Sequence, residues 1–300
     1  YRAPPGDSMM RRAMVRSALR RAVIAGASFL TASLTTSCSL DEFLFNERVV
    51  DSYALSNAVI ADSLRTEGDW KVGNDRVAWV LARRPGNTPR LTLLFCHGNK
   101  YNIQEYWNRV EAFWSAGFDV LTFDYRGFGR SSGTSDEATM RADGEAALAF
   151  VRSRGVADSS LVVAGFSLGG VCAIHLAARV VTPRALIIES AFTSSEALVR
   201  SGTVLTIPGE YLMRDRFDNL AAMPLVTAPT LVVHGDADTF LPFRFGEALY
   251  AASRAPIKRF VRVRGADHTE IPDVLGSAEY AALFLRFAQS PSGSGPSALP

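Results

Sequence analysis

This sequence predicts an α/β domain with a mostly parallel twisted sheet and helices on both faces, and three observations point to it. Short apolar runs recur along the chain, at Leu91–Cys96, Phe118–Phe123, Leu161–Ala164, Ala185–Ile188 and Thr230–Val233. Stretches with helical spacing separate several of them, which is the alternation expected of βαβ units. One run, Leu161–Ala164, passes through Gly165-Phe166-Ser167-Leu168-Gly169 directly into a helical stretch from Val171 to Val180. A chain of 300 residues, 48% hydrophobic and 21% charged, can bury a sizeable core in one large domain.

Residues 1–38 stand apart as an export signal. Arg11, Arg12, Arg16, Arg20 and Arg21 form a basic block, Ala22–Leu34 is apolar, and Thr35-Thr36-Ser37 are small. The sequence before Met9, Met10 and Met14, the candidate starts, looks like upstream sequence. The apolar run is too short and too rich in Ser and Thr for a membrane-spanning helix. Cys38 follows the small residues as the lipidated cysteine does in the lipobox of bacterial lipoproteins, and Ser39 after it suits sorting to the outer membrane. The expectation is an exported protein anchored to a bacterial cell envelope through a lipid on Cys38, with plain secretion and an uncleaved apolar anchor as alternatives. Removing residues 1–37 takes away six Arg and one Asp and leaves 26 basic and 29 acidic residues, a net charge of −3. The basic balance therefore belongs to the signal, and nothing points to nucleic acid as a partner.

Residues 39–74 are expected to be linker and lead-in, with an aromatic patch at Phe43 and Phe45. The main domain spans 75–289. Val77–Ala82 reads as an early strand ended by the turn cluster Arg83-Arg84-Pro85-Gly86-Asn87. Ile103, Tyr106, Trp107, Val110, Phe113 and Trp114 recur at helical spacing and are assigned to core packing. Glu137–Val151 is helical, Phe260–Val263 is the last strand, and Ala278–Phe287 is a closing helix. The one long stretch between strands, about 192–225, is the size of a small lid. Residues 290–300, rich in Ser, Gly and Pro, are expected to be disordered. Cys96 and Cys172 read as buried apolar fillers rather than a disulfide, and no metal-ligand spacing appears.

A Gly-x-Ser-x-Gly between strand and helix is the nucleophile-elbow pattern. It holds the serine in a strained turn and presents its hydroxyl at a helix N-terminus, where backbone N–H groups can meet a developing anion. A dinucleotide-binding turn also joins strand to helix, but Ser167 occupies the place where that turn needs a glycine. A nucleophilic serine needs a base and a carboxylate that orients the base, and in elbow hydrolases the chain order is Ser, acid, His. Of the four histidines, His97 precedes the serine, and His175 lies two turns along the elbow helix. His234 ends a strand and is expected to pack at its turn, which leaves His268 in the loop after the last strand. The acid belongs on the loop after the preceding strand, where Asp236 and Asp238 are both available. For the oxyanion, the N–H of Leu168 follows the nucleophile, and His97-Gly98-Asn99, directly after a strand, offers the N–H of Asn99.

Together the stretches HGNKYNI (His97–Ile103), FDYRGFGRSSG (Phe123–Gly133), GFSLGG (Gly165–Gly170), ESAFTS (Glu189–Ser194), HGDADTFLP (His234–Pro242) and GADHTE (Gly265–Glu270) resemble the α/β-hydrolase family. The subgroup they most resemble is the α/β-hydrolase-domain serine hydrolases close to prolyl-oligopeptidase-like and bacterial lipoprotein hydrolases. The resemblance covers roughly residues 75–288 and selects Asp238 as the acid beside Ser167 and His268. It implies a hydrolase fold with a small lid, acting on a small-molecule ester or acyl substrate through an acyl-enzyme, with no cofactor and no metal. The chain departs from the family pattern at Lys100-Tyr101, where small residues are usual, and at Ala266-Asp267 before the histidine. A carboxylic ester or thioester hydrolase is the expected function. A peptidase or amidase on the same triad, or a non-catalytic membrane-anchored scaffold, are the alternatives.

Overall fold

The computed structural model describes residues 44–86, 90–202, 215–291 and 298–299. The expected export signal with Cys38, the middle of the expected lid and most of the tail lie outside the described residues. In chain order the sheet is built from β1 (Arg65–Val72), β2 (Asp75–Ala82), β3 (Thr92–Cys96), β4 (Asp119–Phe123), β5 (Leu161–Phe166), β6 (Ala185–Glu189), β7 (Thr230–Gly235) and β8 (Lys258–Val263). Its spatial order is β8-β7-β6-β5-β3-β4-β2-β1, parallel throughout except that β2 runs antiparallel to β4 and β1 antiparallel to β2. The central strands β3, β5, β6 and β7 are buried along their whole length, which is why they read as unbroken apolar runs.

Helices α1 (Trp107–Ala116), α2 (Glu137–Ser153), α3 (Gly169–Arg179), α4 (Ser195–Gly202), α5 (Asn219–Ala222), α6 (Arg244–Ala252), α7 (Ile271–Leu275) and α8 (Ser277–Gln289) complete the fold. Successive residues of each strand point to opposite faces, so the sheet feeds two separate cores. Leu94 and Val163 join α2, α3 and α6 on one face. Leu93, Phe95, Val162 and Ala164 join α1 and α8 on the other. The sheet is therefore the middle layer of three. Asp136 starts α2 with a capping box, its carboxylate accepting from Thr139 N while Thr139 Oγ1 accepts from Asp136 N. Cys96 and Cys172 are buried free thiols.

Three parts of the chain differ from the sequence expectation. β1 was expected to be lead-in, and it is an eight-residue strand pairing with β2 along its full length. It escapes notice in the sequence because it lies at the sheet edge, half exposed, and edge strands carry charge rather than apolar runs. The segment before it is no free linker either. Phe45 packs edge-on against Phe128 and Phe217, Asn46–Glu47 pairs with Lys100–Tyr101, and Tyr53 donates to the buried carboxylate of Asp124. At the other end, Ala298–Leu299 pairs with Arg262–Val263, within the stretch expected to be disordered. An edge strand such as β8 offers a row of unpaired backbone groups that a passing segment can satisfy.

The insertion after β6 is tied down where it enters and leaves. Ser195 N and Oγ donate to the carbonyls of Arg216 and Asp215, and Glu137 at the start of α2 accepts from Arg216 N and Phe217 N. Its two legs thus leave the C-terminal end of the sheet side by side.

Candidate active site

The turn between β5 and α3 is where the sequence placed an elbow. Ser167 sits at φ +54°, in the left-handed region that non-glycine residues avoid at a cost of about 1–3 kcal/mol. The turn is held on both sides: Ser167 N donates to the carbonyl of Glu189 at the end of β6, and Ser167 O accepts from Gly170 N. Gly165 and Gly169 are needed for close approach. A Cβ on Gly165 would meet Gly169 O at 2.5 Å, and one on Gly169 would meet Cys96 O at 2.0 Å. Both obstacles are backbone and cannot rotate away.

His268, in the loop between β8 and α7, directs Nε2 to Ser167 Oγ at 2.9 Å. Its Nδ1 lies 2.8 Å from Asp238 Oδ2. A ring nitrogen facing a carboxylate carries the hydrogen, which leaves Nε2 as the acceptor for the serine hydroxyl. Asp238, in the loop after β7, also takes the N–H groups of Phe240 and Leu241 on Oδ1, at 2.9 and 2.7 Å. Burial pushes its carboxyl upward, but the imidazoles of His234 and His268 and the Leu241 N–H outweigh it and hold it down to about 2. The carboxylate is therefore charged at neutral pH. Asp236, the other candidate, caps the neighbouring turn by accepting from Gly265 N and pairing with Arg262.

The loops carrying Asp238 and His268 are joined directly. Asp267 accepts from Thr239 N at 2.7 Å and from Thr239 Oγ1 at 3.0 Å, while the ring of Phe240, 52% exposed, lies 4.9 Å from that of His268. The departure at Asp267 thus pins the His268 loop to the Asp238 loop. His234 was expected to pack at the turn. It is buried there and also backs Asp238, with Nε2 at 3.0 Å from Leu241 O and 3.3 Å from Asp238 Oδ2. Because among the described residues Nδ1 of His234 has no hydrogen-bond partner, the hydrogen belongs on Nε2, between the two acceptors. His175 pairs with Glu145 at the outer face of α3, away from this site.

Leu168 directly follows Ser167, and Asn99 lies in the loop just past the end of β3. The exit of β3 presses on the elbow, as the contact of Cys96 and His97 carbonyls with Gly169 shows. Among the described residues no turn, loop or cap hydrogen bond uses Asn99 N or Leu168 N. The Asn99 loop is held from two directions: Asn46 N donates to Asn99 Oδ1 at 2.6 Å, and Tyr106 Oη accepts from Lys100 N at 2.8 Å. Tyr101 itself is at φ +54°. None of these supports was legible from local sequence, since Asn46 and Tyr106 reach the loop only through the fold. Among the described residues no cluster of three or more metal-ligating side chains occurs.

A three-layer α/β sheet with a strained strand–serine–helix turn at its centre, and an imidazole and a carboxylate in line behind it, defines an α/β-hydrolase-like architecture. Comparison with known proteins agrees. The family model described as serine aminopeptidase, S33, matches residues 87–219. The uncharacterized protein YfhR of Salmonella typhimurium is 33% identical over 227 residues, covering 69% of this chain and 74% of that protein. The human alpha/beta hydrolase domain-containing protein 17B is 31% identical over 199 residues, covering 66% of each. Among solved structures, the Pyrococcus furiosus esterase Pf2001 superposes with a TM-score of 0.64 at 17% identity, covering 82% of this chain and 98% of that one. Est1E from Butyrivibrio proteoclasticus, with ferulic acid bound, gives 0.61 at 19% identity, covering 74% and 99%. The chain spans about two thirds to three quarters of the length of the curated relatives it matches. It belongs to the α/β-hydrolase superfamily. The family match and the esterase neighbours support a hydrolase.

Proposed function

We propose that the protein is a serine hydrolase that cleaves carboxylic ester or thioester bonds through an acyl-enzyme intermediate. One observation carries the reading: Ser167 Oγ, His268 and Asp238 stand in series at 2.9 and 2.8 Å on the strained elbow. Ser167 Oγ attacks the acyl carbon as His268 Nε2 takes its proton, and the carbonyl oxygen becomes an oxyanion facing the N–H groups of Asn99 and Leu168. His268 then gives the proton to the departing alcohol or thiol. A water, deprotonated by the same nitrogen, attacks the acyl-serine, and the acid leaves with Ser167 Oγ reprotonated. Asp238 keeps the proton on Nδ1 throughout and offsets the charge of the imidazolium.

The family model's description as a serine aminopeptidase favours one second reading, a peptidase or amidase on the same residues. The full-length protein offered p-nitrophenyl esters of graded acyl length and an aminoacyl anilide separates the two. Ester turnover is expected, with Ser167→Ala reducing kcat by about four orders of magnitude or more and abolishing labelling by a fluorophosphonate. Anilide turnover exceeding ester turnover would favour the peptidase. Folded wild-type protein that neither hydrolyses these substrates nor takes the probe would overturn both.

A further inference from the structure

Directly beneath the elbow lies an ion pair that the proposed chemistry does not use. Arg109 from α1 is 4% exposed, Glu189 at the end of β6 is 1% exposed, and Tyr280 from α8 is fully buried. Arg109 Nη1 donates to Glu189 Oε1 and to Tyr280 Oη, both at 2.7 Å, and Tyr280 Oη donates to Glu189 Oε2 at 2.7 Å. Burial works against the charge of the guanidinium, and the carboxylate opposite more than restores it. A buried pair of this kind is weak support for stability, because desolvation consumes most of its attraction, and apolar residues of the same shape often do as well. Its contacts suggest another use.

Two members of the network reach different parts of the site, and Tyr280 joins those two to each other. The backbone of Glu189 holds the nucleophile, since its carbonyl accepts Ser167 N at 2.9 Å. Arg109 Nη2 donates at 3.4 Å to the carbonyl of Thr269, the residue after His268. The same guanidinium stacks 4.2 Å from the ring of Phe166, the residue before Ser167, and the Phe166 ring lies 5.2 Å from that of His268. One planar, multidentate cation therefore touches the chain on both sides of the Ser167–His268 hydrogen bond. Lysine, a point charge on a flexible stem, could not do this. These elements are far apart in sequence, and Arg109 draws α1, β6, α8 and the loop after β8 to one point.

We propose that Arg109, Glu189 and Tyr280 form a positioning network that sets the distance and angle between Ser167 and His268. This rests on the serine-hydrolase reading above. Being neutral in sum, the network acts through geometry rather than through a field on the imidazole. A displacement of about 1 Å at a reacting pair is enough to slow chemistry about a hundredfold.

The test uses the full chain in three forms: wild type, the apolar triple variant Arg109→Met/Glu189→Leu/Tyr280→Phe, and Tyr280→Phe alone. Fluorophosphonate labelling rate, kcat and KM on a p-nitrophenyl ester, and the urea midpoint are measured for each. The triple variant is expected to keep its urea midpoint while kcat and labelling rate fall about 10- to 100-fold and KM stays within about threefold. Tyr280→Phe, which removes one hydroxyl, is expected to slow both rates by about 3- to 10-fold at unchanged KM. A triple variant that folds and reacts at the wild-type rate would overturn the network's role. Should the triple variant not fold, Tyr280→Phe decides alone, and a wild-type labelling rate in it overturns the proposal. Wild-type protein that fails to label would instead remove the serine-hydrolase reading on which the network depends.

Discussion

Asp238 shows how much one side chain can be asked to do. It orients His268, is itself backed by His234, and is satisfied by two backbone N–H groups of its own loop. Held down to about 2 against an ordinary value near 3.9, this carboxyl binds its proton less readily in the folded state than in the unfolded one. Its contribution to stability is therefore fully present above about pH 4 and is lost as pH falls through about 2, and it amounts to about 2 kcal/mol. Asp238→Asn is expected to lower the urea midpoint at pH 7 and to flatten the decline in stability between pH 4 and 2. The same change reverses the hydrogen-bonding preference at His268 Nδ1, so kcat should fall by about four orders of magnitude. Urea titrations at pH 3 and pH 7, with ester hydrolysis at pH 7, check both. The choice between Asp236 and Asp238 was not open to spacing alone, because both occupy one turn. In the fold, Asp236 faces Gly265 and Arg262, whereas Asp238 faces the imidazole.

Among the elements, the β5–α3 turn was the most legible and offers the sharpest conflict between local and tertiary preference. Gly169 opens α3, where alanine is the better helix former by about 1 kcal/mol. The added Cβ would stand 2.0 Å from Cys96 O and 2.6 Å from His97 O, both backbone of the strand exit that carries Asn99. Overpacking against atoms that cannot rotate costs about 1–3 kcal/mol, so the tertiary term wins. Gly169→Ala is therefore expected to lower the urea midpoint and, by prising the Asn99 loop from the elbow, to reduce kcat more than it raises KM. A substitution that raised stability would show that the close approach is not required. The buried strands were legible for the same reason the elbow was: apolar on both faces, they stand out in any window. β1 and α6 were not, since the first alternates polar residues at an edge and the second buries only Phe245, Gly246 and Leu249.

For the whole molecule, the unexpected feature is that residues 44–60 belong to the domain rather than lead up to it. They tie down the Asn99 loop at Asn46, the loop after β4 at Val50 and Gly129, and Asp124 at Tyr53. Asp124 is fully buried and also accepts Ile103 N at 2.8 Å, so its lone pairs depend on these donors. Tyr53→Phe leaves one carboxylate oxygen without its hydroxyl and is expected to cost about 1–3 kcal/mol, read as a lower urea midpoint. An unchanged midpoint would mean that the segment rests on the domain without contributing to it.

By itself the sequence determined the layered α/β plan and the strand–serine–helix turn, and it named Ser167 and His268 as candidates. These follow from local rules: apolar periodicity, glycine spacing around a turn, and the order of groups along one chain. What only the tertiary structure decided is which distant residues stand behind them. Arg109 reaches Glu189 and Tyr280, His234 backs Asp238, Asp267 clasps Thr239, and Asn46 steadies Asn99. His234 and Asp238 lie four residues apart in one turn, but each of the other contacts joins elements far apart along the chain, so no short window of sequence contains the pair. The energy of a buried polar group depends on its partner, and the partner exists only once the sheet has formed.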